Sequence, residues 1–370
     1  MDEQDQRMRF VVAAFRRERS LSSLCAEFGV SRPTGMLWLE RYRSGGAAAV
    51  IEQSRRPHHS PTRTAPELEQ QVVALRKQYP DWGARKLQVL LARGGVELTR
   101  STIHRVLLRY ELLDDADRHG PMERFERAEP NELWQMDFKG AKSWHQPTGP
   151  LSVLDDCSRY VIALEALGST RSELVRERLE SAFRGCGVPQ AMLMDHGVPW
   201  WSWAGPRAAN TALALWLAKQ GIRLLWSGIG HPQTQGKVER FHGCLQEALD
   251  KRGLGGKEPQ AWLDDYRWEH NHVRPHEALG MQTPASRWKP SERFYDPNPP
   301  RWEYPEGSWV LKVDSQGTLE IRQTKWRIGR ALSGEWVRIV DLADRLHVYY
   351  CNTLIRELDL GAHRSTIVER

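Results

Sequence analysis

The sequence predicts a three-part chain, with tandem helix-turn-helix units in front, an α/β unit in the middle and a small β-barrel at the end. Three observations carry that division. Apolar residues recur at helical spacing up to residue 110, buried-strand runs take over from Leu133, and short alternating segments begin at Trp309. At 370 residues with 40% apolar content, the chain can bury a full core and fills roughly two to four domains. No run of about 18 apolar residues appears, and the polar first ten residues lack a signal h-region, so a cytoplasmic protein with no membrane segment is expected. Cys25, Cys157, Cys186, Cys244 and Cys351 are odd in number and form no C-x-x-C pair, which points to reduced thiols and away from structural zinc. The net charge is +6, and the excess of Lys and Arg falls within residues 1–110. A basic front on a near-neutral remainder fits a nucleic-acid-binding module.

The front part opens with a helix over 7–18 that groups Phe10, Ala14 and Phe15 on one side. The stretch LSSLCAEFGVSRPTGMLWLERY (21–42) then has helix-turn-helix grammar. Leu24, Cys25 and Phe28 form an apolar face, Gly29 supplies a positive-φ turn, Val30 tucks inward and Ser31 caps the next helix. Arg32 and Thr34, at the start of that helix, are candidate groove contacts. SRRPHHSPTRT (54–64) is basic and Pro-rich, hence a linker whose Arg55 and Arg56 can track phosphates. A second three-helix pattern follows over Pro66–Tyr79, Trp82–Arg93 and Ser101–Tyr110, with Arg100 and Arg105 on its last helix as further DNA contacts. The boundaries read as 1–50, linker 51–65, 66–112, linker 113–130, 131–290 for the α/β unit and 301–360 for the barrel.

In the middle part, strands are expected at Leu133–Asp137, Leu151–Asp156, Tyr160–Leu167, Met192–Asp195 and Ile222–Trp226, with helices near 171–184, 210–220 and 260–272 and another carrying Glu239. After Leu279 the chain should run loose and Pro-rich to Pro300. Three acids stand out. Asp137 and Asp195 each close an apolar run, and Glu239 lies in the first turn of a helix entered through HPQTQG (231–236). Two strands and a helix delivering three carboxylates can hold a pair of Mg²⁺ ions for phosphodiester chemistry. Asp155 and Asp156, in a DDCSR turn, are read instead as structural. The polar loop ahead of Glu239 suits a phosphate at a helix N-terminus, with Gln235, Lys237, Arg240 and His242 as DNA-contact candidates. Of the sixteen tryptophans, Trp134 and Trp216 are assigned to the core.

WQMDFKG (134–140), LDDCSRY (154–160), DHG (195–197), HPQTQGKVERFH (231–242) and NHVRPHEALGMQTP (271–284) together resemble the DDE transposase and retroviral-type integrase superfamily. In detail the chain looks like a bacterial insertion-sequence transposase with an integrase-type core. The resemblance implies a ribonuclease H-like fold and a catalytic set of Asp137, Asp195 and Glu239 holding two Mg²⁺, with Mn²⁺ as a substitute. It further implies binding to terminal inverted repeats and target DNA, 3′-end hydrolysis, strand transfer, and a homodimer or larger assembly. Three departures stand beside it. The interval from Asp195 to Glu239 is long, and WWSWAGPR (200–207) reads as a surface insertion that absorbs it; His196 replaces a common Asn; and Gln246 stands where a basic residue is common. A catalytically silent, transposase-derived DNA-binding regulator and a ribonuclease H-like nuclease remain the alternatives.

Overall fold

The structure, a computed structural model, describes residues 3–17, 19–50, 64–113, 126–140, 148–202, 209–227 and 236–367. Most of both expected linkers, with Arg55 and Arg56, lies outside the described residues, as do residues 203–208 and the 231–235 loop with Gln235. The chain divides into two compact units, Met1–Ala65 and Pro66–Arg370.

Among the described residues the first unit holds α1 (Glu3–Arg16), α2 (Leu21–Glu27) and α3 (Arg32–Val50), the last kinked at Gly45 and Gly46. The hydroxyl of Ser20 caps α2 by accepting the Ser23 N–H at 3.2 Å, and that of Ser31 caps α3 by accepting the Thr34 N–H at 3.3 Å. Between them Gly29 turns the chain at φ +65°, a conformation in which an L side chain is strained. Phe10, Val11, Leu24, Cys25 and Trp38 form the core, with Phe28 and Val30 packed against it. Phe15 departs from expectation: it is 48% exposed. Five residues of helix carry it about 140° around the axis from Phe10, so the two cannot share the buried face.

The second unit starts with α4 (Pro66–Gln78), α5 (Ala84–Arg93) and α6 (Arg100–Arg109), packed around Val72, Trp82, Leu87, Ile103 and Leu107. Thr99 caps α6 through the Thr102 N–H at 3.2 Å. A mixed α/β layer follows in the order β1 (Trp134–Phe138), β2 (Leu151–Asp155), β3 (Val161–Glu165), α7 (Ser172–Cys186), β4 (Ala191–Met194), β5 (Trp201–Ser202), β6 (Ala209–Asn210), α8 (Ala212–Lys219), β7 (Arg223–Trp226), α9 (Gly236–Arg252) and α10 (Pro259–His272). Its five-stranded sheet runs β3-β2-β1-β4-β7. The first three strands form an antiparallel meander, whereas β4 and β7 add in parallel, as helical crossovers require. The sheet is buried on both faces: α9 and α10 cover Leu154, Val161 and Leu164, while α7 and α8 cover the other side. Trp134 and Trp216 are core residues as expected, 0% and 8% exposed.

The segment after Leu279 is pinned to this core rather than loose. Trp288 stacks on Tyr160 with 4.1 Å between centroids, the Ser291 N–H donates to the Cys186 carbonyl at 2.8 Å, and the Arg293 guanidinium donates to the Gln220 and Gly221 carbonyls at 3.0 Å. Single anchors of this kind leave no periodicity in the sequence.

The C-terminal strands are β8 (Trp309–Lys312), β9 (Thr318–Ile321), β10 (Thr324–Arg327), β11 (Trp336–Asp341), β12 (Arg345–Tyr350), β13 (Thr353–Asp359) and β14 (Arg364–Ile367). They do not close into the expected barrel. Among the described residues, five form an open antiparallel sheet, β14-β13-β12-β11-β8, and β9 and β10 pair as a separate hairpin. Alternation shows that a strand has an inner face but not which strand completes the ring, so closure was not readable from it. The sheet joins the same hydrophobic cluster as the α/β layer. Leu213–Ala218 of α8 are all buried; at its end Lys219 pairs with Glu335 at 2.7 Å, and just beyond it the Leu224 N–H donates to Thr353 Oγ1 at 3.2 Å. Among the described residues no helix is long and apolar enough to cross a membrane.

Candidate active site

Strand register brings the two aspartates together. β1 and β4 pair in parallel with Trp134 beside Met192 and Gln135 beside Leu193; continued by two residues, that register sets Asp137 opposite Asp195, and the charge of Asp195 acts on Asp137. Neighbouring strands lie about 4.8 Å apart, so the two carboxylates leave adjacent strand ends. Gln135 and Asp137 share one face of β1, and Gln135 is the fixture for the third acid. Its side-chain oxygen accepts the Val238 N–H at 3.3 Å, which seats the start of α9 against β1, while its amide donates to Asp156 at 2.7 Å. Glu239, in the first turn of α9, is exposed, and its charge acts on Asp137.

Three further groups of α9 are placed by this docking. His242, one turn beyond Glu239, is hydrogen-bonded to Ser152 Oγ at 3.0 Å with its Nδ1 3.7 Å from Asp137 Oδ2. Burial, reinforced by the charge of Lys139, lowers its pKa to about 3, so the ring is neutral beside Asp137. Lys237 pairs with the fully buried Asp156 at 2.6 Å, so its charge is committed to the fold. Arg240 is exposed. Gln246 accepts a hydrogen bond from Lys139, so the end of β1 supplies an ammonium beside the position where a basic residue was missing.

Asp155 and Asp156 are structural, as expected. Asp155 accepts the Asn131 and Ser158 N–H groups at 2.7 and 2.8 Å, and Asp156 receives Arg127 N, Gln135 and Lys237. His196 packs edge-on against Trp201 at 4.6 Å. The presumed surface insertion begins inside the protein. Trp200 and Trp201 are each 1% exposed, and the Trp200 indole N–H donates to Asp195 Oδ1 at 2.7 Å. Polar or bulky composition reads as surface only when nothing nearby needs a partner, and here a carboxylate does. Elsewhere, Arg32, Arg100 and Arg105 are exposed and Thr34 is half-buried with its hydroxyl on Ser31 at 2.8 Å.

Electrostatically the three acids form one group. Burial, then the charge of Asp195, with a smaller part from Glu239, pushes the Asp137 carboxyl up to about 7. Among the described residues none of the three pairs with a lysine or arginine. An uncompensated, all-carboxylate donor set suits a hard divalent cation. The side chains are not drawn into a closed cage: among the described residues no three His, Cys, Asp or Glu groups converge enough to enclose an ion. That is compatible with Mg²⁺, which keeps several waters and takes only one or two carboxylates beside substrate phosphate.

Family models match along the chain in the same order. A "Helix-turn-helix domain" matches residues 6–58, a "Homeodomain-like domain" residues 34–107, and two models of an "Integrase core domain" residues 127–232 and 220–284. The chain carries an integrase core domain. Its integrase core spans the sheet and α9 together, and DNA-binding helix-turn-helix domains precede it. Among solved structures, the HTLV-2 integrase catalytic core domain in complex with magnesium is 17% identical and covers 43% of this chain and 97% of its own, with a TM-score of 0.35. The simian T-cell lymphotropic virus intasome chain is 16% identical over 74% of this chain and 93% of its own, at a TM-score of 0.39. The BIV integrase catalytic core is 20% identical over 42% and 92%, at 0.33.

Proposed function

We propose that this integrase-type chain is a DNA transposase that binds the terminal inverted repeats of its own element, hydrolyses the phosphodiester at each 3′ end and transfers the freed end into target DNA. What supports the reading is the parallel pairing of β1 with β4, whose register continued by two residues sets Asp137 opposite Asp195, and the docking on Gln135 of α9, which carries Glu239. Asp137 would bridge two divalent cations, and Asp195 and Glu239 would each hold one. Bound there, Mg²⁺ (or Mn²⁺) lowers the pKa of water and stabilises the leaving oxygen. The chain's own part is positional: β1 and β4 fix the spacing of two carboxylates, and neutral His242 adds no positive charge beside Asp137 that would compete with a cation. Exposed Arg32 on α3 and Arg100 and Arg105 on α6 would contact the repeats, and a homodimer or larger assembly would hold two ends together.

The test is strand transfer of a duplex carrying the element's end, with Mg²⁺, comparing wild type with Glu239→Gln. The reading expects end cleavage and joining by wild type and a loss of at least a thousandfold in the variant, with end binding retained. Binding without cleavage by the wild type would replace it with the silent regulator; cleavage of RNA–DNA hybrid instead would replace it with the nuclease.

A further inference from the structure

We propose that Trp200 is the positioning residue for Asp195, fixing the plane of its carboxylate so that the oxygen without a donor is offered to a divalent cation; the inference rests on the reading of Asp195 as a metal ligand. Both donors that reach this carboxylate converge on a single oxygen. The Trp200 indole N–H lies 2.7 Å from Oδ1 and the Gly197 backbone N–H 2.9 Å from the same atom. Among the described residues no donor reaches Oδ2. A carboxylate so held cannot rotate about its last bond without losing two hydrogen bonds, so Oδ2 is presented bare as a one-oxygen ligand.

The indole is itself fixed. Trp200 is 1% exposed, and its ring stacks on Phe138 at 5.7 Å and 14°, directly after Asp137 in β1. One side chain thus spans the ends of both acid-bearing strands, its face on β1 and its N–H on Asp195. Gly197 completes the arrangement through its lack of a side chain: a Cβ there would stand 2.8 Å from Oδ2 and 2.9 Å from Oδ1. The Asp-His-Gly-Val-Pro-Trp segment (195–200) is in this sense a single loop built around one carboxylate.

The test uses the full chain and Mn²⁺ as probe, with free Mn²⁺ counted by its paramagnetic resonance signal. Trp200→Phe keeps a ring to stack on Phe138 and removes only the donor. Its Mn²⁺ affinity should fall by about 10- to 100-fold. The Mg²⁺ concentration needed for half-maximal strand transfer should rise in step, and the rate at saturating Mg²⁺ should return to within a few-fold of wild type. Asp195→Ala is the control. If wild type binds no Mn²⁺ that Asp195→Ala abolishes, the metal-ligand reading falls. If Asp195→Ala abolishes binding but Trp200→Phe binds like wild type, the positioning role alone is overturned. Should Trp200→Phe fail to fold, indole ¹⁵N–H spectra of wild type decide. One indole resonance should move on Mg²⁺ addition and be displaced in metal-free Asp195→Ala; no such resonance overturns the inference.

Discussion

His270 and His276 are titratable groups that the fold keeps without charge. His270 is 4% exposed and hydrogen-bonded through Nε2 to the Arg159 carbonyl at 3.2 Å. Burial, then the charges of His276 and Arg274, lowers its pKa well below the ordinary value; burial, then Arg159, Lys86 and Arg274, lowers that of His276 to about 3. Above about pH 6.5 both are neutral, folded or unfolded. Below it the unfolded chain takes up protons that the native chain refuses, so stability declines with falling pH by roughly 1.4 kcal/mol per pH unit per histidine. Urea midpoints should therefore drop steadily between pH 6.5 and 5, and His276→Gln should flatten the slope; equal midpoints across that range would contradict the assignment. Gln135 is a second residue whose work exceeds its appearance. Gln135→Leu strands the Val238 N–H and one oxygen of Asp156, at a cost of about 1–3 kcal/mol for each unsatisfied group. Strand transfer should fall more than tenfold, because α9 loses its seat beside Asp137. The two aspartates were legible because an acid closing an apolar run is a local pattern. Gln135 and Trp200 were not, because their importance lies in specific partners, far away in the sequence or around a turn.

At the scale of elements, α9 is held at both ends. Its start rests on β1, and near its end Arg252 reaches Asp81, in the turn between α4 and α5. Arg274, past the end of α10, donates to the other Asp81 oxygen at 2.7 Å, and Arg252 also meets Glu269 at 2.7 Å. Asp81 is buried; desolvation alone would raise its pKa, but Arg274 and Arg252 together hold it below the usual carboxylate range. Breaking such a group by removing one partner costs about 3–5 kcal/mol. Asp81→Ala should therefore lower the unfolding midpoint markedly and expose residues 66–113 to limited proteolysis before the rest; unchanged protection would mean the α4–α6 bundle does not depend on this contact. The helices themselves were readable from caps and spacing, as Ser31 and Thr99 demonstrate. Their docking was not: DWGARK looks like an ordinary helix entry until its aspartate is seen between two arginines.

For the whole molecule, order along the chain was the most legible property, because a change of hydrophobic period marks a change of architecture wherever it occurs. Closure was the least legible, and the open five-stranded sheet at the C-terminus reflects where its inner face is spent. That face shares one cluster with α7, α8 and the central sheet. A chain stopped near residue 300 should consequently sediment as aggregate, since α8 would present leucines to water; a monodisperse shortened protein would refute the shared core. α8 is thus answerable to two neighbours at once. A substitution along Leu213–Ala218 must suit the integrase core and the last sheet together, so recombination that exchanged the C-terminal part with another gene would inherit a helix shaped for the part it had lost.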